Sequence, residues 1–143
     1  LAYCLNSDIA SEFKNITFNA STSVTDTEVD ELIAQSDEII DGYLTNKYTV
    51  PITGVKALKV VKRISIGLTV QRLIPILRVK TGVDKLDQDT QSISTNAERL
   101  LKDIISGSLD LSDAEKASTG QGFKSYANDN SLEHKFQRGI DQW

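Results

Sequence analysis

Little in this chain of 143 residues is equipped for redox or acid–base chemistry near neutral pH: it has one Cys, one His and no Met. A lone cysteine, Cys4, cannot close an internal disulfide, so nothing points to an oxidising compartment. It reads as a small buried hydrophobe rather than a nucleophile. His134 sits in a polar C-terminal stretch with no carboxylate or nucleophile positioned beside it, so neither general-base catalysis nor a Cys4–His134 pair is expected. Long apolar runs are missing as well. The most apolar stretch, Val60 to Val79, is broken by Lys62, Arg63, Arg72 and Arg78, which excludes a membrane span. The opening residues lack a basic segment followed by an apolar one, so a signal peptide is not expected and the chain reads as cytosolic. Gly120-Gln121-Gly122 has no strand–loop–helix context and reads as linker rather than phosphate cradle. The expectation is a single non-enzymatic domain with no metal and no cofactor.

Acids are absent from one long block. Between Gly42 and Val83 there is no Asp or Glu but eight Lys or Arg, whereas residues 1–41 carry nine acids and one base. The formal net charge of −4 therefore hides opposed electrostatic blocks on neighbouring helices. Such blocks can specify contacts between copies or follow a polyanion.

The apolar spacing predicts an all-α fold, a small bundle of about four helices with a flexible C-terminal arm. Asn6 or Ser7 caps a short first helix over about Asp8 to Asn15, with Ile9 and Phe13 inward, and residues 15–25 read as a polar loop. Thr25-x-x-Glu28 is a capping box that opens a second helix. Behind it Val29, Leu32, Ile33, Ile39, Ile40, Tyr43 and Leu44 form one stripe, and Asp30, Glu31, Asp37, Glu38 and Asp41 an acidic face expected to be solvated. This helix should end near Tyr48, before Val50-Pro51. A third helix starts near Val55 or Lys56 and carries two stripes. Ala57, Val61, Ile64 and Leu68 make the first; Ile66, Val70, Leu73 and Leu77 make the second, on nearly the opposite side. A helix apolar on two faces is buried on both, either at the centre of a bundle or beneath another subunit. Pro75 should kink it or end it early, and Gly82 is a stop. Residues 84–96 are polar and unpatterned, with Thr95-x-x-Glu98 reading as a second capping box. Ala97, Leu100, Leu101, Ile104 and Ile105 follow as the stripe of the last helix, and Gly107 as its C-cap. Residues 112–131 read as a flexible arm. Leu132, Phe136 and Ile140 then recover helical spacing ahead of Trp143. The division expected is a helical domain over 1–111 and an arm over 112–143.

Lys56, Lys59, Arg63 and Arg78 share one side of the third helix, with Lys62 and Lys80 beside it. Without interleaved aromatics and in an acidic protein of pI about 5.0, this stripe favours contact with acidic protein surface over free-standing nucleic-acid binding. A small helical nucleic-acid-binding or regulatory module remains the second reading.

The order of these features resembles a known family. Tyr3-Cys4 followed by Asp8-Ile9 is similar to its "Y-C-x-x-x-D-L" opening. Ile40-Asp41-Gly42-Tyr43-Leu44, then Lys47-Tyr48 and Val50-Pro51-Ile52, follow in order. Ala97-x-x-Leu100-Leu101-x-x-Ile104-x-x-Gly107 is similar to its closing helix and glycine. Over about residues 2–111 the chain resembles the small head–tail connector (adaptor or head-completion) proteins of tailed bacteriophages and Mu-like prophages. That resemblance implies a non-enzymatic virion protein of the neck, assembled in the bacterial host cytoplasm as a ring, commonly of twelve copies, under the portal protein. Its implied partners are further copies of itself, the portal, the next neck or tail-completion protein and, non-specifically, the packaged DNA; no membrane is implied. A ring needs a heterologous contact between copies. The residues expected there are Ile66, Val70, Leu73 and Leu77, with Lys56, Lys59 and Arg63 meeting Asp37, Glu38 and Asp41 of the next copy. Phe123, Tyr126, Leu132, Phe136, Ile140 and Trp143 are expected to dock on the portal, and Lys62, Arg78 and Lys80 to lie along the DNA channel.

Overall fold

The capping box at Thr25 is formed. Its hydroxyl accepts the N–H of Glu28 at 3.2 Å, and the Glu28 carboxylate accepts the N–H of Thr25 at 2.9 Å. Two amides that the helix cannot satisfy are thereby paired, a contribution of about 1 kcal/mol. The helix it opens is the second of four: α1 (Asn6–Glu12), α2 (Asp26–Leu44), α3 (Val55–Thr81) and α4 (Gln88–Ser106). The computed structural model describes residues 1–13, 16–82 and 88–118. Among them there is no strand, only one antiparallel bridge between Tyr48 and Lys116. The fold is a small all-α bundle.

Central α3 explains the double stripe. Its first half packs Ala57, Val61 and Ile64 into a core with Ile40, Leu44, Tyr48, Ile52, Leu101, Ile104 and Leu111. Its second half turns Ile66, Val70, Leu73 and Leu77 into a different core with Cys4, Ile9, Phe13, Val24, Val29 and Ile33. The helix hands over from one core to the next along its length, so each stripe is covered by the same protomer except at Leu68, which is half-buried. Ile66, Val70, Leu73 and Leu77 are 9%, 0%, 0% and 1% exposed and therefore cannot be a face offered to a neighbouring copy. Their cover comes from α2, α1 and the 16–24 loop, where Phe18 meets Phe13 edge-to-face at 6.0 Å.

Gly54, the residue before α3, has no side chain to cap it. Asp113, 57 positions downstream of Lys56, does so, accepting the N–H groups of Lys56 at 2.6 Å and Ala57 at 2.8 Å. A Cβ on Gly54 would lie 2.3 Å from the Asp113 carbonyl oxygen, so only glycine admits this approach. Backbone bonds from Thr49 N–H to the Glu115 carbonyl at 2.7 Å, and from Ala117 N–H to that of Lys47 at 3.0 Å, fasten the same segment. Residues 112–118, expected to begin a flexible arm, are thus part of the folded body.

Other boundaries also moved. α1 opens two residues early, with Asp8 accepting the Leu5 N–H at 2.9 Å, and α2 stops at Leu44. α3 runs through Pro75 and ends at Gly82, whose φ of 67° is left-handed. α4 begins at Gln88, so Thr95 is interior and its hydroxyl donates back to the Gln91 carbonyl at 3.2 Å. Mid-helix threonines bond in this way; Thr95-x-x-Glu98 is not a cap. Residues 83–87 lie outside the described residues. At α4's far end Gly107 has φ 87°, as its C-cap position requires.

Candidate subunit interface

The acidic face of α2 divides in two. Asp30, Glu31 and Glu38 are exposed as expected, but Asp37 is 6% exposed. Its carboxylate accepts the backbone N–H of Tyr3 at 2.8 Å and the Ser65 hydroxyl at 2.5 Å. Ser65 also lies 3.2 Å from the Cys4 thiol. One turn on, Asp41 accepts the Tyr3 phenol, which itself accepts the Ile52 N–H at 3.0 Å. Asp37 and Asp41 therefore tie the N-terminal segment to α2, to α3 and to the 50–52 turn. Asp37 is thus not available to a neighbouring copy, and Asp41 is half-buried with one oxygen engaged inside its own protomer. Burial pushes the Asp37 carboxyl above its ordinary value, against the pull of Ser65 and the Tyr3 amide. Burial likewise raises the Tyr3 phenol, with Asp41 adding to it, and pushes the Cys4 thiol up to about 11. At neutral pH Cys4 is a protonated, buried thiol, unsuited to nucleophilic attack. Among the described residues no group of three or more His, Cys, Asp or Glu is placed to hold a metal ion, and no helix is long and apolar enough to cross a membrane.

The basic block forms one wall of a groove of about 430 Å³ between α1, α3 and α4. Lys59, Lys62 and Arg63 line it over an apolar floor of Ile66, Ile93, Ala97 and Leu100, with Glu12 and Asn96 at its sides. α3 and α4 approach closely here because Gly67 faces Ala97: a Cβ on Gly67 would stand 2.2 Å from the Ala97 Cβ. Lys56, Lys59 and Arg63 are exposed. Lys62 is held by Asp8 at 2.8 Å, and Lys80 by Glu28 at 2.5 Å. Of the three cations expected along a DNA channel, two are thus occupied by acids of their own chain, while Arg78 is exposed. Lys62 holds the Asp8 carboxyl below its usual range, and Lys80 does the same for Glu28.

A second groove, of about 360 Å³, runs between α2 and the N-terminal segment and is acidic. Asp30, Ala34 and Glu38 line it, with the exposed Leu1 and Leu5 at its edge. One protomer thus carries a basic groove and an acidic one on different sets of helices. Neither Glu12, Asn96 and Leu100 nor the apolar edge at Leu1 and Leu5 was singled out from the sequence. Glu12 and Asn96 carry no local pattern, and Leu100 was assigned to the core stripe. Phe123, Tyr126, Leu132, Phe136, Ile140 and Trp143 lie outside the described residues.

No curated protein and no solved structure matches the chain. A family model does: the one described as Bacteriophage Mu, Gp36 matches residues 3–125, which include almost all of the folded body and the grooves on it.

Proposed function

The chain belongs to the Bacteriophage Mu Gp36 family, and we propose that it serves there as a head–tail connector, a structural subunit rather than an enzyme. In this reading it forms a ring in the virion neck beneath the portal, extends the DNA channel and seats the next neck or tail-completion protein. Membership of a phage family over residues 3–125 carries the reading, and the in-order motifs from Tyr3-Cys4 to Gly107 agree with it.

The surface supports a head-to-tail contact between copies. Lys56, Lys59 and Arg63 on one protomer meet Asp30, Glu31 and Glu38 on the next, the exposed acids taking the place of Asp37 and Asp41. A contact joining two different patches is heterologous and closes into a ring when its rotation permits. Phe123, Tyr126 and the apolar positions from Leu132 to Trp143 are the residues we assign to the portal. Packaged DNA meets the ring only through non-specific contacts such as Arg78.

Mass photometry of the chain mixed with its portal protein tests this. The expected result is a ring on the portal that dissolves with added salt and is weakened in a Lys59→Glu/Arg63→Glu variant. Glu31→Lys/Glu38→Lys on a second copy should restore it. Failure to associate with portal at any concentration refutes the connector role. A stable monomer that binds duplex DNA with a steep salt slope would support the nucleic-acid-binding module instead.

A further inference from the structure

Along one side of the bundle α2 and α4 diverge over α3 and leave an apolar groove of about 310 Å³. Ile39 and Tyr43 come from α2, Leu68 from α3, and Leu101 and Ile105 from α4, with Glu98 and Lys102 at the rim. Tyr43 and Ile105 are 55% and 40% exposed, a large apolar exposure at adjoining positions. We propose that this groove seats the chain's own C-terminal segment, Leu132 to Trp143.

The path of the chain favours that occupant. Ala117 N–H bonds to the Lys47 carbonyl at 3.0 Å, and the Lys47 ammonium donates to the Ile104 carbonyl at 3.0 Å. The described chain therefore ends within a lysine side chain's length of the Ile104 carbonyl, the residue that precedes Ile105 of the groove. From there a tether of the length of residues 119–131 would have a coil dimension of about 20 Å and a full reach of about 40 Å. The α4 wall from Glu98 to Ile105 is only about 10 Å long. Leu132, Phe136 and Ile140 recur at a spacing that, wound as a helix, lays down an apolar stripe of about 12 Å, the length of that wall. Tethering also supplies an effective concentration in the millimolar range, so a modest contact suffices. The assignment does not rest on the connector reading; within it, the portal competes with the groove for the same side chains.

Trp143 is the sole tryptophan, so its fluorescence in the full chain reports the segment directly. The expected emission is blue-shifted from that of a solvated indole and protected from acrylamide, and it is unchanged on dilution. Ile105→Asp and, from the other side, Phe136→Asp should each lower the docking equilibrium constant at least tenfold, which is about 1.4 kcal/mol, and move the emission toward that of solvated indole. Phe136→Asp lies outside the folded body and keeps the test valid if Ile105→Asp perturbs the bundle. Val79→Asp, at an apolar position 87% exposed elsewhere on α3, should leave the emission as it was. Emission of a solvated indole in the parent chain overturns the proposal, as does a blue shift that survives Phe136→Asp. A blue shift that grows with protein concentration also overturns it and gives the groove to a second copy.

Discussion

Gly67→Ala should be among the most disruptive single-methyl changes this protein can suffer. α3 and α4 make the most extensive helix contact in the bundle, and Gly67 lies within it. An added Cβ would stand 2.2 Å from the Ala97 Cβ and 2.9 Å from the Ile93 carbonyl oxygen. Carbon atoms in good contact sit about 3.5–4.0 Å apart, so the helices must part by more than about 1 Å. Neither opposing atom lies on a side chain that can rotate away. Overpacking of this kind costs about 1–3 kcal/mol and occasionally more; with backbone-proximal atoms on both sides we take about 4 kcal/mol. Alanine's better helix propensity returns about 1 kcal/mol. The net loss of about 3 kcal/mol corresponds to a Tm about 10 °C lower for a body of this size, read by circular dichroism or scanning fluorimetry. Ala97→Gly alone should cost about 2 kcal/mol, through propensity and one lost methyl. In the double variant the opposing Cβ is gone, so the combined loss should fall short of the sum by about 2 kcal/mol. A Gly67→Ala protein melting at or above the parent temperature would refute the packing described here, and so would strict additivity of the two substitutions.

Leu73→Ala should cost about 2–5 kcal/mol in a denaturant melt of the monomer, because Leu73 is 0% exposed within the protomer; an unchanged melt with altered assembly would return that stripe to a subunit interface. Asp37 gives a pH signature. Its carboxyl is raised above the ordinary 3.8 by burial, so the folded state binds its proton more tightly than the unfolded state. Its contribution is full below pH 3.8 and is lost as pH rises through the folded value. Melts of Asp37→Asn and parent compared from pH 4 to 7 should therefore show the variant gaining relative to the parent as pH rises, and a parallel pair of curves contradicts this. Asp113 has the opposite sign: the Lys56 amide, then that of Ala57, holds it below 3.8, so its contribution fades as pH falls through that lowered value. Asp113→Ala should lower Tm at neutral pH, and Asp113→Asn, which keeps one of the two accepting oxygens, should recover part of it; equal melting of the two counts against the cap. Finally, with its thiol at about 11, Cys4 should react with a thiol reagent at pH 8 about a hundredfold more slowly than a free cysteine until the protein is unfolded; fast labelling of the native chain would show that the N-terminal segment is open.

Features set by near neighbours in sequence were legible before any coordinates. The Thr25–Glu28 box, the α2 stripe apart from Tyr43, which is exposed, the glycine stops at 82 and 107 and the helical class all follow from contacts within a few residues. Periodicity also reported truthfully that α3 is buried on two faces. It was silent on what completes the burying, because the cover that α2 does not supply lies in α1 and a loop whose Asn, Ser and Thr content hides Val24 and Phe18 among polar neighbours. Asp37 and Asp41 sit at helical spacing with the exposed acids, and only the arrival of Tyr3 from the other end of the fold separates them. The same limit applies to the basic groove: Lys59 and Arg63 were readable as a charged stripe, but Asn96 and Leu100 join it only because Gly67 lets α4 lie close. Thr95-x-x-Glu98 misled for a different reason, since the pattern is neutral about whether helix already precedes it.

The segment that returns to cap α3 has a mechanical consequence. Anything that pulls on the chain beyond residue 118 loads first the backbone bonds of residues 115 and 117 to the corner at Lys47–Thr49, and then the Asp113 bonds to the start of α3. α4 stands behind these in series and feels no tension through the backbone until they part. Force on the tail is delivered to the corner between α2 and α3, and reaches α4 there only through the Lys47 ammonium on the Ile104 carbonyl, at the end of the helix away from Gly67 and the basic groove.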